Sequence, residues 1–234
     1  MSILQIITYA SIGGIIPCLI WLIFWLREAH DNPEPPRVIL ACFIAGMLST
    51  IIVFPLEYFV TLLFHEGSLQ TLTLWAFIEE ALKLAVCWYV ALRTRFEIHP
   101  IDAVIYMMTV ALGFSAFENT IYLVTPIMNG DIITSVMTGG MRFIGATLLH
   151  TLTSAIIGVF IAFSFFKKTY LKQEYALAGL IAATVLHTVF NFFILNGSGV
   201  QTFLVFASVW LLIIVLIVII EKVKNITNPN IQNI

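Results

Sequence analysis

The sequence predicts an all-α membrane protein, a polytopic bundle of about seven transmembrane helices forming one integral domain over residues 1–234. Three observations carry that expectation. Sixty per cent of the residues are hydrophobic and 10% charged, against about 45–50% and about 25% in a typical soluble domain, and the mean hydropathy is +1.02. The apolar residues are gathered into runs of roughly 21–27, long enough to cross ~30 Å of hydrocarbon as helix. The basic residues sit between those runs in an alternating pattern. A net charge of -2 without any basic run gives no footing for nucleic acid. Cys18, Cys42 and Cys87 lie inside apolar runs without ligand-like spacing and read as small hydrophobes.

The first run, Ile3–Leu26, has no basic residue before it and is followed by Arg27, so a spanning helix is expected rather than a cleavable signal. Further spans are expected at Val38–Phe64, Leu69–Leu92, Ile101–Val124, Met141–Phe166, Tyr175–Leu195 and Val200–Ile220. Arg27 and Arg37, then Arg93 and Arg95, then Lys167, Lys168 and Lys172, then Lys222 and Lys224 occupy alternate connections. The positive-inside rule therefore gives an N-out, C-in chain. Arg142, at the outer start of the fifth span, reads as an interfacial anchor whose stem snorkels. Glu57, after Pro55, either joins the polar residues of the neighbouring spans or faces the headgroups, the latter being the expectation, and Trp21, Trp25, Trp75, Trp88 and Trp210 read as interface belt and core. Between Thr125 and Gly140 an apolar stretch is punctuated by Pro126, Asn129-Gly130 and Gly139-Gly140. It is either a surface loop or a re-entrant segment, which would make eight membrane segments and is tolerated only against protein.

The third span carries Glu79, Glu80 and Lys83, three and four residues apart on one helix. Each charge at the bilayer centre costs roughly 2.5–3.5 kcal/mol on insertion scales, so the three call for a protein-lined, wet site. Under the expected topology Glu79 and Glu80 lie ~15 Å below the outer surface, Glu118 ~9 Å, and His150 and His187 ~12–14 Å, at ~1.5 Å per residue. Four helices thus bring acids and imidazoles to the outer half of the membrane. Such groups activate water, as general bases or as ligands to a metal that acidifies bound water. His150 and His187 with Glu118 or Glu80 would make a zinc site with an open position, although no HExxH is present. Tyr122, Ser154 and Asn191 each follow an anchor by one turn and share its face, and Asn191 is the candidate donor to an oxyanion. The sequence leaves open which of Glu79 and Glu80 is the base.

The ordered series Glu79-Glu80-x-x-Lys83, Phe117-Glu118-Asn119-x-x-Tyr122, His150-x-x-x-Ser154 and His187-x-x-x-Asn191 resembles the PrsW family of intramembrane proteases. More distantly it is similar to the CAAX prenyl endopeptidases and the gamma-secretase scaffold subunit. The resemblance covers residues ~70–195, the motif-bearing core. It implies a peptidase of the bacterial cell membrane that cuts a single-span, anti-sigma-factor-like protein near the extracytoplasmic face. It also implies catalysis by Glu79 and Glu80, an essential His187, and a mechanism with or without a metal. Two other classes fit the same residues, a proton- or cation-coupled transporter and a non-catalytic scaffold. Against the transporter, the two halves of the chain lack a matched pair of broken helices. A local echo, Ile144–Thr151 against Ile181–Thr188, suggests that His150 and His187 face each other where Gly145, Ala146, Ala182 and Ala183 let the backbones approach.

Overall fold

The computed structural model describes residues 1–28, 34–94 and 98–227; Arg95, one of the topology-setting charges, and much of the 27–37 loop lie outside them. Among the described residues there is no β-strand, and the chain is an all-α bundle. Its helices are α1 (Ile3–Glu28), α2 (Pro36–Leu63), α3 (Leu69–Cys87), α4 (Pro100–Met128), α5 (Ile132–Met141), α6 (Thr147–Phe163), α7 (Thr169–Asn196) and α8 (Gly199–Lys224). α3 runs on through a π-helical turn at Trp88–Leu92, and α5 joins α6 through another at Arg142–Ala146.

Six helical segments are long and apolar enough to cross a membrane by length and composition, with α5 and α6 counting as one. α3 is outside that set because it carries Glu79, Glu80 and Lys83. With its π turn it still covers Leu69 to Leu92, the bounds expected for the third span.

α4 is the axis. Every residue from Pro100 to Ala116 is buried, as expected of a helix that is apolar all round. α1, α2 and α6 pack on it directly, α3 lies between α2 and α7, and α8 leans on α6. Small residues set the closest crossings. A Cβ on Gly113 of α4 would fall 2.0 Å from the Phe43 carbonyl of α2, and one on Gly46 of α2 would fall 2.1 Å from that of Val110. Without a hydrophobic force between helices in lipid, such close backbone contact is what holds them.

The Thr125–Gly140 stretch is neither a loop nor a re-entrant segment. α4 continues to Met128, the chain turns at Asn129-Gly130 with Gly130 at φ 70°, and α5 begins behind an Asp131 cap at 2.9 Å. No residue of α5 is buried, whereas re-entrant backbone needs protein around it. The expected approach at Gly145 also differs. Its open side receives the Phe206 ring of α8, and α6 meets α7 closely at Gly179 instead, where a Cβ would fall 3.0 Å from Ile157 Cα.

Candidate active site

The α2–α3, α4–α5 and α7–α8 turns share one end of the bundle, here called the upper end, and the polar residues hang at one depth below it. Glu79 is ten residues below the start of α3, Glu118 ten below the end of α4, and His187 nine below the end of α7, each ~14–15 Å. The extension of α4 to Met128 removes the shallower depth expected for Glu118.

α3 is anchored at its top. Ser68 Oγ accepts the Thr71 amide at 3.3 Å, and the Trp75 indole donates to the Glu57 carbonyl of α2 at 3.1 Å. Below that, Glu79 is 5% exposed and Glu80 and Lys83 are fully buried. The Lys83 ammonium has three protons and three acceptors: Glu80 Oε1 at 2.9 Å, Glu79 Oε2 at 3.3 Å and His150 Nδ1 at 2.8 Å. Glu80 is the hub. Its Oε1 also accepts from Thr153 at 3.0 Å and faces His187 Nδ1 at 3.0 Å, while Oε2 accepts from Ser154 at 3.3 Å.

These contacts assign the imidazole tautomers. An ammonium can only donate, so His150 Nδ1 must accept from Lys83, and the ring proton sits on Nε2. That proton points at Glu118 Oε2, 2.9 Å away. A carboxylate can only accept, so His187 Nδ1 carries its proton toward Glu80. His187 Nε2 is left with a lone pair and no hydrogen-bond partner among the described residues. The two rings meet edge to face with centroids 5.0 Å apart, which bears out the facing of His150 and His187.

Glu118 is held from above. Arg142 Nη2 donates to its Oε2 at 2.6 Å, and Arg142 Nε to Asn119 Oδ1 at 2.5 Å. Asn119 in turn donates to Thr147 Oγ1 at 3.0 Å. Arg142 is therefore not an interfacial anchor but the counter-charge of a buried carboxylate, and its guanidinium stacks 4.1 Å over the exposed Tyr122 ring. It sits at the start of the π turn, whose widened register alters the i to i−4 pairing of its carbonyls. Two of these find indoles, Phe143 O from Trp21 and Ile144 O from Trp210, each at 3.2 Å. Those two tryptophans tie α1 and α8 to the turn rather than serving only as a belt.

Of the residues singled out in the sequence, Glu79, Glu80, Lys83, Glu118, Asn119, His150, Ser154 and His187 converge. Asn191 is half-buried one turn above His187 and takes no part in the hydrogen-bond network. Glu57, expected at the headgroups, is instead close enough to Glu79 and Glu118 for their charges to act on it. Arg142, Thr147 and Thr153 were not anticipated. Thr153 had a signal, standing beside Ser154 one turn after His150, but threonine is common enough in membrane helices to hide it.

One ligand atom from each of Glu79, Glu80, His150 and His187 can be chosen so that all four lie within 4.8 Å of one another, and all four residues are buried. Two carboxylates and two imidazoles on three helices are a hydrolase's groups, and the chain's similarities agree. Residues 34–220 match the model of the PrsW family, described as intramembrane metalloproteases. The chain belongs to the PrsW family. Protease PrsW of Bacillus subtilis (strain 168) is 26% identical over 191 residues, 77% of this chain and 80% of its own length. Protease PrsW of Geobacillus kaustophilus (strain HTA426) is 28% identical over 190 residues, 78% of each chain. That of Oceanobacillus iheyensis is 28% identical over 188 residues, 79% of this chain and 82% of its own. No solved structure matches the chain. As a PrsW family member with six helical segments apolar enough to span, the chain is a multi-pass peptidase of the bacterial membrane. The PrsW match encloses every residue of the cluster, and the family's description as metalloproteases meets here a buried Glu/His group that can hold a metal ion.

Proposed function

We propose that the chain hydrolyses a peptide bond of a single-span, membrane-anchored protein near the extracytoplasmic face, in the manner of site-1 cleavage of an anti-sigma factor. The topology is N-out and C-in with seven crossings, α3 included, which puts the upper end of the bundle outside. The observation that carries the reading is the convergence of Glu79, Glu80, His150 and His187 within 4.8 Å, with His187 Nε2 and one oxygen of Glu79 uncommitted.

That division of labour assigns the base. Glu80 spends both oxygens on Lys83, Thr153, Ser154 and His187, so it positions. Glu79 makes one bond, at 3.3 Å to Lys83, and keeps an oxygen for water. Glu79 takes a proton from water as the hydroxyl oxygen bonds to the scissile carbonyl carbon. The carbonyl oxygen becomes an oxyanion, for which Asn191 is the donor. The C–N bond then breaks, and the proton passes to the leaving amine, through Glu79 or through His187 Nε2. The products are a new carboxylate and a new amine.

The same donors fit a divalent ion, with zinc the best match to two imidazoles and two carboxylates. Glu79, Glu80, His150 and His187 would hold it, and Glu118 on His150 Nε2 is the outer carboxylate that such sites use to orient a histidine. When bound it would acidify water at the site.

The test is cleavage of a single-span reporter with Glu79→Ala, Glu80→Ala and His187→Ala. Loss of cleavage in each is expected. Retained cleavage in all three, with the protein folded in the membrane, overturns the assignment.

A further inference from the structure

The Lys83 ammonium stands among the donors that a metal ion would need. Its three N–H groups point to Glu79, Glu80 and His150, at 3.3, 2.9 and 2.8 Å, which are three of the four residues of the candidate metal group. Helix spacing accounts for the first two, at i−4 and i−3. It does not account for His150, which arrives from another helix 67 positions away and offers a lone pair rather than a charge. A histidine nitrogen whose other side is fixed by a carboxylate is the usual disposition of a metal ligand. Here its lone pair is filled by an amine.

We propose that Lys83 is the built-in cation of this site: its ammonium occupies the position between Glu79, Glu80 and His150, and a divalent ion enters only as Lys83 swings out. The proposal rests on the metal-site reading above and deepens it. An ion bonded at ~2.0–2.2 Å to these donors and an ammonium at hydrogen-bond distance from the same atoms cannot be accommodated together. The lysine stem has four rotatable bonds that let the ammonium withdraw, and the Phe114 ring, 4.2 Å from Nζ at its centre, helps to hold the ammonium where it now sits, since an aromatic face attracts a cation. The lysine thus keeps the acids compensated while the site is without an ion. It also sets a threshold that a weakly coordinating ion does not pass.

The test is zinc binding to the purified full-length chain in detergent micelles, by calorimetry and by metal content after dialysis, compared among wild type, Lys83→Met and Lys83→Arg. Methionine keeps the length and removes the cation, so Lys83→Met should bind zinc at least tenfold more tightly than wild type. Lys83→Arg keeps the charge and should bind no more tightly than wild type. Equal or weaker binding by a folded Lys83→Met overturns the proposal alone. Zinc bound by none of the forms overturns it together with the metal reading. Should Lys83→Met fail to give a monodisperse peak, Lys83→Gln serves instead. It removes the cation while keeping a hydrogen-bond donor and should bind zinc several-fold more tightly than wild type, and equal or weaker binding there overturns the proposal.

Discussion

Glu118→Gln isolates the positioning of His150. Glu118 Oε2 accepts from Arg142 Nη2 at 2.6 Å and from His150 Nε2 at 2.9 Å, and both carboxylate and guanidinium side chains are only 14% exposed. Glutamine is the same size and its oxygen can still accept from both, so the geometry survives while the charge assistance goes. Bonds to a charged group are worth ~1.5–3 kcal/mol and neutral ones ~0.5–1.5; the Arg142 bond keeps its charged donor, so the loss of about 1–1.5 kcal/mol falls on the His150 bond. If the imidazole must be held for the rate-determining step, that is about 5- to 12-fold in rate at ~1.4 kcal/mol per decade. The assay is kcat and KM for a single-span reporter in micelles, with ¹⁵N-histidine NMR to read the rings. Wild type should show opposite tautomers, Nε2–H on His150 and Nδ1–H on His187. The variant should lose kcat with little change in KM, while Lys83, still donating to His150 Nδ1, keeps the His150 proton on Nε2. Wild-type kcat in the variant, or both rings in one tautomer in wild type, refutes the reasoning.

The two acids of α3 should separate by stability. Glu80→Gln breaks a fully buried ion pair, at ~3–5 kcal/mol, and should lower the unfolding temperature as well as abolish cleavage. Glu79→Gln should abolish cleavage with a smaller drop in melting temperature, and a drop as large as that of Glu80→Gln contradicts the assignment. Below the bundle, before α2, burial and then the neighbouring Asp102 push the Glu34 carboxyl up from 4.5 to about 8. The folded chain then holds a proton the unfolded chain has released, so Glu34's contribution is complete below about 4.5 and is lost as pH rises to about 8. The unfolding temperature should therefore fall between pH 6 and 9 more steeply in wild type than in Glu34→Gln, and parallel curves would count against it. Trp210→Phe removes the donor to the Ile144 carbonyl and should cost about 1 kcal/mol. A variant as stable as wild type shows that the π turn needs no indole there.

The bundle and the outlines of the site were legible because lipid makes both conspicuous. An apolar run of spanning length has few other meanings, and Glu80, Lys83 and His187 are too expensive in such runs to be incidental. What stayed hidden depends on local backbone. Arg142 lies at the edge of an apolar stretch, where a snorkelling anchor is the ordinary reading. Its turn toward Glu118 follows from a helix that begins at Ile132 rather than Met141 and contains a π turn, and neither leaves a residue-level mark. Glu57 was misplaced for a different reason: the expected span already ran past it to Phe64, but only the packing of α2 against α3 decides that it faces the site. The unequal roles of Glu79 and Glu80 were also out of reach. Adjacent residues differ by ~100° around a helix, and only the packing of α6 and α7 decides which one they enclose.

That enclosure explains why a site for hydrolysis is built so rigidly around one of its acids. Thr153 and Ser154 come from α6, His187 from α7 and Lys83 from α3 itself, and all four converge on Glu80. A carboxylate so fully subscribed has no capacity to exchange protons with water, but it fixes the position of every helix that contributes a reacting group. Glu79, one residue earlier and turned toward Glu57, shares that framework while keeping capacity on its own oxygens. The two acids are consecutive because one anchors the helices and the other needs to be carried, at fixed offset, on the same anchored turn.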